Sequence, residues 1–167
     1  MGKKINAAAL AILAVIIVAC NPAKKYEEEE RSQILDYVAA NNITVSPDAN
    51  GIYYIETVAG TGALIQRGDS VGVRYTCSFL TGKKVDDNIE AETPFRFRVG
   101  DQKYIDGWSL ALVKMKMGSK ASVIIPSTVA YRSMGFMAYD EYGILRTIIP
   151  GYTPLLFEIE VVELVRE

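Results

Sequence analysis

Short alternating strands, interrupted by one amphipathic helix, fill the chain after residue 50 and restrict its fold more than any other feature. The longest strand pattern runs from Ser70 to Leu80, and its apolar members recur at every second position: Val71, Val73, Tyr75, Cys77 and Phe79. The helical pattern has apolar residues at the spacing of one helix face: Trp108, Ala111, Leu112 and Met115. We expect Gly118 to end this helix. Together the patterns predict an α+β fold, in which a curved antiparallel β-sheet wraps around one short helix.

Further strands are predicted on both sides of this helix. Segments rich in β-branched and aromatic residues lie at residues 52–58, 121–125 and 155–165. A shorter strand places Phe95 and Phe97 on one face and Arg96 on the other. The alternation of the last strand breaks at Val161-Val162, which predicts a β-bulge.

The first 19 residues read as a targeting segment. Lys3 and Lys4 precede an apolar run from Ala7 to Ala19, which stops at Cys20. This run is shorter than the roughly 20 residues that a permanent transmembrane helix needs. The residues Ile17-Val18-Ala19-Cys20 resemble the lipobox of bacterial lipoproteins, which implies cleavage before Cys20 and lipidation of its thiol. An ordinary signal peptide or a short membrane anchor is the alternative.

A tether and a helix are expected between residues 20 and 50. We predict a short tether from Asn21 to Lys25 and a helix from Tyr26 that ends near Asn41-Asn42. Ile34, Leu35 and Val38 form its apolar face. The glutamates at residues 27–30 are interpreted as a solvated helix start. The domains are therefore a signal peptide at 1–19, an anchored tether and helix at 20–50, and a catalytic or binding domain at 51–167.

The composition excludes several kinds of chemistry. The chain of 167 residues has no histidine and a formal charge of -2, so it lacks the commonest general base and a basic surface for nucleic acid. With Cys20 lipidated, Cys77 would have no disulfide partner, and its position on the core face predicts an inert buried thiol. No metal-ligand cluster or cofactor motif is present in the sequence, and we expect no cofactor.

Aromatic residues recur in separated motifs that together suit an apolar ligand. These motifs are Tyr75-Thr76, Phe95-Arg96-Phe97, Ile105-Asp106-Gly107-Trp108, Ala130-Tyr131, and Ile148-Ile149-Pro150 followed by Phe157. Their order and spacing, from about Gly68 to Glu163, resemble the FKBP-type peptidyl-prolyl isomerases. The resemblance implies the same α+β architecture, catalysis of X-Pro isomerisation, proline-containing polypeptides as substrates, and a macrolide-type inhibitor as a further ligand.

The resemblance also implies a role for each site residue. Trp108 would form the pocket floor, and the Ile105 N–H, next to Tyr104, would bind a ligand carbonyl. Asp86 and Tyr131 would be the catalytic residues, acting by hydrogen bonding rather than proton transfer. The remaining substrate-binding residues would form the apolar walls and the covering tip: Tyr75, Val85, Phe95, Ile148, Ile149 and Phe157. By residue type alone, most of these side chains would be ordinary core or turn residues.

The sequence departs from the family pattern in four places, one of which is Cys77, where glycine is common after Tyr-Thr. Val85 stands where the family usually has phenylalanine, and Ala91 where an arginine often pairs with the aspartate, unless Arg96 or Arg98 replaces it. The segment 132–146 is longer than usual and rich in methionine and aromatic residues, so it could recognise unfolded chains or fill the pocket.

Three functions therefore remain open. The first is an isomerase that assists folding of exported proteins. The second is a non-catalytic chaperone or peptide-binding module on the same fold, and the third is a membrane scaffold that dimerises through its N-terminal helix. The expected location is the bacterial cell envelope, as an outer membrane lipoprotein that faces the periplasm or the cell surface.

Overall fold

A computed structural model describes residues 22–166, so the predicted signal peptide and Cys20 lie outside the described residues. The described part has two α-helices and one 3-10 turn: α1 (Pro22–Ala40), α2 (Asp106–Leu112) and the turn Ser127–Val129. Its strands are, in chain order: β1 (Tyr53–Val58), β2 (Thr61–Leu64), β3 (Ser70–Phe79), β4 (Lys84–Asp87), β5 (Phe95–Arg98), β6 (Lys116–Met117), β7 (Lys120–Ile125), β8 (Phe136–Tyr139), β9 (Leu145–Ile149) and β10 (Leu155–Val165).

The main sheet has six strands in the order β1-β7-β10-β3-β4, and β5 also pairs with β3. Every pairing within it is antiparallel. The register of β10 against β3 shifts between Val161 and Glu163, so the predicted bulge is confirmed. Two further two-stranded sheets are formed by β2 with β6 and by β8 with β9. The predicted α+β fold with an antiparallel sheet is thus confirmed.

Helix α2 packs against the inner face of the sheet and is shorter than predicted. Leu112 and Met115 have no solvent exposure, and full burial of such a side chain contributes about 1.5–3 kcal/mol. The helix ends at Leu112 rather than near Gly118, because the Met115 N–H turns back to the Leu112 carbonyl and the chain continues into β6. Gly118, with a φ of 77°, instead forms the turn between β6 and β7.

Helix α1 packs on the opposite face of the sheet. Its Ile34 contacts a small core with Tyr53 and Ile124, whereas Val123, the neighbour of Ile124 on β7, belongs to the core around α2. Successive strand residues point to opposite faces, so the two helices lie on opposite sides of the sheet. Within residues 22–166, no helix combines the length and the apolar content needed to cross a membrane.

Three details of α1 differ from the prediction. The helix begins at Pro22 rather than Tyr26, so the expected tether is helical from Pro22 onward; proline suits the first helical position, where its missing N–H would be unpaired anyway. Leu35, predicted on the apolar face, is 49% exposed. Glu30 is buried rather than solvated. The end of the helix is as predicted, since it stops at Ala40 and Asn42 has a φ of 52°.

The long segment 132–146 contributes to a β-hairpin rather than a simple loop. Strands β8 and β9 pair antiparallel, with Ala138 opposite Arg146 and Tyr139 opposite Leu145. At its tip the Asp140 carboxylate accepts hydrogen bonds from the N–H groups of Tyr142 and Ile144 and from the Arg146 guanidinium. These bonds rigidify the turn at the hairpin tip.

Candidate active site

A cavity of about 560 Å³ opens between α2, the sheet and the β8–β9 hairpin. All the predicted binding and catalytic residues line it: Tyr75, Val85, Asp86, Phe95, Tyr104, Ile105, Trp108, Tyr131, Ile148, Ile149 and Phe157. The residues that the sequence reading did not assign to the site are Cys77, Lys103, Phe136 and Ala138. The hairpin therefore stands at the rim of the cavity without filling it.

Trp108 lies in the first turn of α2, where four rings contact it edge to face, the most distant being Phe95 at 6.0 Å between centroids. The Trp108 ring centroid is 5.0 Å from that of Tyr75, 5.4 Å from that of Phe97 and 5.2 Å from that of Phe157. Such edge-to-face pairs add about 0.5–1.5 kcal/mol each beyond simple burial. The start of the helix lies so close to the sheet that a Cβ at Gly107 would stand 2.4 Å from the Ile125 Cγ2 atom. Glycine at this position therefore allows the close approach. Trp108 is thus a rigid floor, 6% exposed.

The side walls come from β5 and the segment before α2. Phe95 contacts both Tyr75, at 5.8 Å between ring centroids, and Tyr104, at 5.3 Å. Phe97, on the same face of β5, closes the group at 5.1 Å from Tyr104. Val85, at the β4 edge, is half-buried and also borders the cavity. A small aliphatic side chain at this position leaves that side more open than an aromatic ring would.

Tyr75 and Asp86 form the polar edge of the cavity. The Tyr75 hydroxyl donates to Asp86 Oδ2 at 2.6 Å, and the Asp87 N–H donates to Asp86 Oδ1 at 2.9 Å. Burial, helped by the neighbouring carboxylate, raises the pKa of Tyr75 well above its usual range. The hydroxyl therefore stays protonated at neutral pH and keeps Asp86 oriented. Asp86 is exposed to solvent, and such a group is suited to hydrogen bonding and to setting a local field.

The arginine that might have compensated for Ala91 is engaged elsewhere. Arg96 makes a two-pronged ion pair with Glu163, with N–O distances of 2.6 and 2.7 Å. Arg98 donates to the Gly68 carbonyl at 2.9 Å. The Asp86 carboxylate is thus oriented by Tyr75 and a backbone amide.

The Ile105 N–H and the Tyr131 hydroxyl border the cavity without an acceptor among the described residues. Tyr131 is half-buried and packs against Phe136 of the hairpin, with ring centroids 5.4 Å apart and planes inclined by 40°. Burial raises the pKa of Tyr131, with smaller effects from Cys77 and Asp86, so the hydroxyl remains a donor. Free donors of this kind in an apolar hollow are suited to a ligand that carries carbonyl groups.

Cys77 lies beneath the cavity on β3. It is 4% exposed, and burial, followed by the charge of Asp86, raises the pKa of its thiol to about 12. A thiol in this state is neutral at physiological pH and a poor nucleophile. Across the described residues no cluster of three or more potential metal ligands occurs.

The hairpin residues Phe136 and Ala138 were missed because their strand lies in a segment that the sequence reading treated as a loop. The apolar composition of residues 132–146 indicates a role in binding, but it does not indicate which side chains face the cavity. Inward orientation of Phe136 and Ala138 depends on the hairpin register, since side chains two positions apart share a face.

The comparisons with known proteins agree with this geometry. The family model of the FKBP-type peptidyl-prolyl cis-trans isomerases matches residues 62–162. FK506-binding protein 1 of Saccharomyces cerevisiae is 30% identical, over 62% of this chain and 84% of that protein. A crystal structure of a peptidyl-prolyl cis-trans isomerase from Pseudomonas syringae has a TM-score of 0.69 and 32% identity, and the match covers 87% of this chain and 97% of that one.

Some relatives are much longer than the matched region. FK506-binding protein 4 of Dictyostelium discoideum is 33% identical over 68% of this chain, and FK506-binding protein 4 of Gibberella zeae is 29% identical over 81% of it. The chain spans only 28% and 25% of their lengths.

Proposed function

The chain belongs to the FKBP-type peptidyl-prolyl cis-trans isomerase family, and from this premise we propose that its ring-lined cavity catalyses cis/trans isomerisation of X-Pro bonds. The bond isomerises slowly because resonance gives its C–N link partial double-bond character, with a barrier of about 18–20 kcal/mol. A site that binds the twisted amide better than the planar one lowers this barrier. No proton has to be transferred.

The cavity has the parts that such differential binding requires. The Trp108 floor and the surrounding rings would hold the proline ring and remove water from the imide, and loss of water disfavours the charge-separated resonance form. The Ile105 N–H and the Tyr131 hydroxyl would donate to peptide carbonyls on either side of the bond. Asp86 would act on the developing polarity at the rim through its field, with Tyr75 keeping it oriented.

The observation that supports this mechanism most directly is an open apolar hollow bordered, within residues 22–166, by unpaired donors. Proline has no N–H to offer, so a proline-containing segment presents mainly carbonyl acceptors. Donors without built-in acceptors complement such a ligand, whereas an acid-base enzyme would need a titrating pair. By analogy with relatives named for FK506 binding, a macrolide of that kind would compete for the same hollow.

A protease-coupled assay on a short X-Pro peptide tests the proposal. The full chain, purified in detergent, should accelerate cis/trans exchange at micromolar concentration, and FK506 should suppress the acceleration. Trp108→Leu should lose most of the turnover, because it removes the floor. A folded sample that gives no acceleration would contradict the proposed activity.

A second candidate, a non-catalytic peptide-binding module, is favoured by the exposed hairpin. Its outer surface carries large apolar side chains with high exposed fractions, among them Met134 at 85%, Tyr139 at 74% and Tyr142 at 79%. Exposed apolar groups of this kind bind unfolded segments. Suppression of aggregation of a proline-free unfolded protein, without peptide turnover, would support this candidate over the first.

We further propose that the protein is a lipoprotein of the bacterial envelope that assists folding of exported proteins. The support is the apolar run that stops at Cys20 and the lipobox-like residues before it. Asn21 follows the cysteine and carries no inner-membrane retention signal, which favours the outer membrane, with the domain in the periplasm or at the cell surface.

A further inference from the structure

A buried carboxylate connects helix α1 to the loop that carries Tyr131. Glu30 is 5% exposed, and both of its oxygens are used by one residue. Glu30 Oε1 accepts from the Ser127 N–H at 2.5 Å, and Glu30 Oε2 accepts from the Ser127 hydroxyl at 2.6 Å. A buried carboxylate is unfavourable unless such hydrogen bonds satisfy it, so this contact fixes α1 and Ser127 relative to each other.

Ser127 in turn holds the backbone on both sides of Tyr131. Its carbonyl accepts hydrogen bonds from the N–H of Ala130 at 2.9 Å and from the N–H of Arg132 at 2.8 Å. These two residues flank Tyr131 directly. Every polar backbone and side-chain group of Ser127 is therefore engaged, either by Glu30 or by the loop that presents the Tyr131 hydroxyl.

A second contact from α1 reaches the same loop by another route. The Tyr26 ring stacks on the Tyr152 ring with centroids 5.4 Å apart and planes inclined by 19°. The Tyr152 N–H donates to the Arg132 carbonyl at 2.8 Å. Helix α1 thus supports the Tyr131 loop at Ser127 and, through Tyr152, at Arg132.

We propose that Glu30 is a positioning residue for Tyr131, and that α1 is a working part of the isomerase site. This inference rests on the proposed function, in which the Tyr131 hydroxyl donates to a substrate carbonyl. Such a donor contributes fully only if its position is fixed before the substrate binds. Glu30 lies on the opposite side of the sheet from the α2 core and acts only through Ser127.

A double-mutant cycle distinguishes positioning from a general structural role. In the full chain, Glu30→Ala should lower kcat/KM on an X-Pro peptide by about threefold to tenfold, within the roughly 2- to 13-fold range expected for one hydrogen bond. In the Tyr131→Phe background the same substitution should change kcat/KM by less than about twofold, because no hydroxyl remains to be positioned. Glu30→Gln keeps an acceptor for the Ser127 N–H and should retain part of the activity.

The matched control is Glu29→Gln on the same helix. The Glu29 side chain is 51% exposed and its nearest cation, Lys25, is 3.6 Å away, so this change should leave kcat/KM unaltered. Amide exchange measured by NMR should be faster at Ala130 and Arg132 in Glu30→Ala than in the Glu29 control. Faster exchange at these two amides than at amides of the main sheet would indicate loosening of the loop rather than a loss of global stability.

The outcomes separate this inference from the proposed function. Turnover by the unsubstituted chain tests the isomerase activity itself. An equal loss of kcat/KM after Glu30→Ala in both backgrounds, or unchanged exchange at Ala130 and Arg132, would overturn the positioning role while leaving the activity intact.

Discussion

Within residues 22–166 the Tyr131 hydroxyl borders the cavity without a hydrogen-bond acceptor, so its contribution to activity can be tested by removing it alone. Tyr131→Phe removes that donor and keeps the ring that packs against Phe136. We expect kcat/KM to fall by about 2- to 13-fold, the equivalent of one hydrogen bond of roughly 0.5–1.5 kcal/mol. The thermal midpoint should change little, because no protein acceptor is lost.

The same peptide assay and a thermal scan check this prediction. Tyr139→Phe is the matched control, since Tyr139 is on the same hairpin side of the molecule, 74% exposed and outside the cavity lining. Full activity of Tyr131→Phe would remove this hydroxyl from the mechanism.

The site residues could be predicted from the sequence because their separated motifs resemble those of the FKBP family; residue type alone would have made most of them ordinary core or turn residues. All of them border one cavity, although their roles toward a ligand stay predictions. The hydrogen bond from Tyr75 to Asp86 could not be foreseen, because it depends on the register that pairs Cys77 with Asp86 across β3 and β4. Register is a long-range property, set by the whole sheet rather than by neighbouring residues.

At the scale of single elements, the β8–β9 hairpin depends on a glycine at its base. Gly135 has a φ of 69°, and a Cβ there would stand 2.2 Å from the Ile149 carbonyl oxygen. Gly135→Ala should therefore cost about 1–2 kcal/mol for the left-handed backbone and about 1–3 kcal/mol more for the clash. The clash falls on β9, whose Ile148 and Ile149 line the cavity. The affinity for peptide should therefore fall as well.

Gly143→Ala is the matched control at the other end of the hairpin. Gly143 has a φ of 73°, but a Cβ there meets nothing within 4 Å, so only the backbone cost of about 1–2 kcal/mol applies. Urea unfolding of both variants measures the difference. Equal losses of unfolding free energy would show that the close approach at Gly135 is not important for stability.

The element boundaries show where sequence patterns lose information. Helix α2 keeps an apolar spacing to Met115, yet it ends at Leu112, because residues 116 and 117 pair with β2. Helix α1 begins before the predicted residue because Pro22 suits the first helical position, where its missing N–H would be unpaired anyway. Periodicity identifies a face, and tertiary pairing decides where the element stops.

For the whole molecule, the titratable groups predict that the free energy of unfolding changes little near neutral pH and falls at both acid and alkaline pH. The chain has no histidine, so no side chain has its ordinary pKa between about 5 and 8. Burial raises the pKa of Cys77 to about 12. Its contribution to stability is present below the unfolded value near 9 and is lost as the pH rises from there toward 12, because the unfolded chain releases the proton first.

The acid limit depends on Asp48. Burial alone would raise the pKa of Asp48, but the hydrogen bond from Lys114, at 2.6 Å, and the N–H groups of Asn50 and Ile52 together lower it. The stabilisation is therefore present above the usual value of 3.8 and is lost as the pH falls through the lowered one. Thermal unfolding from pH 3 to 11 checks both limits. Cys77→Val should flatten the alkaline limb, Asp48→Asn the acid limb, and a midpoint that changes steeply between pH 6 and 8 would contradict the profile.

The proposed lipid anchor would connect the cavity to a membrane at the scale of the whole chain. Only Asn21 separates the proposed lipid site, Cys20, from the start of α1. Helix α1 is itself fixed to the domain, to the sheet through Ile34 and to the 3-10 turn through Glu30 and Ser127. A lipid on Cys20 would therefore hold the isomerase domain close to the bilayer, where newly exported chains emerge, rather than on a long flexible tether.

Cys20→Ser should release the protein from membranes when the chain is expressed in a bacterium that processes lipoproteins. Each buried methylene contributes about 0.8 kcal/mol to membrane binding, so loss of the acyl chains removes most of the affinity. Membranes washed with carbonate and incorporation of labelled palmitate measure the change. Cys77→Ser is the matched control, because this thiol is buried in the domain and its removal should leave both membrane association and labelling intact. Retention of Cys20→Ser in washed membranes, at the level of the unsubstituted chain, would show that another part of the sequence is the anchor.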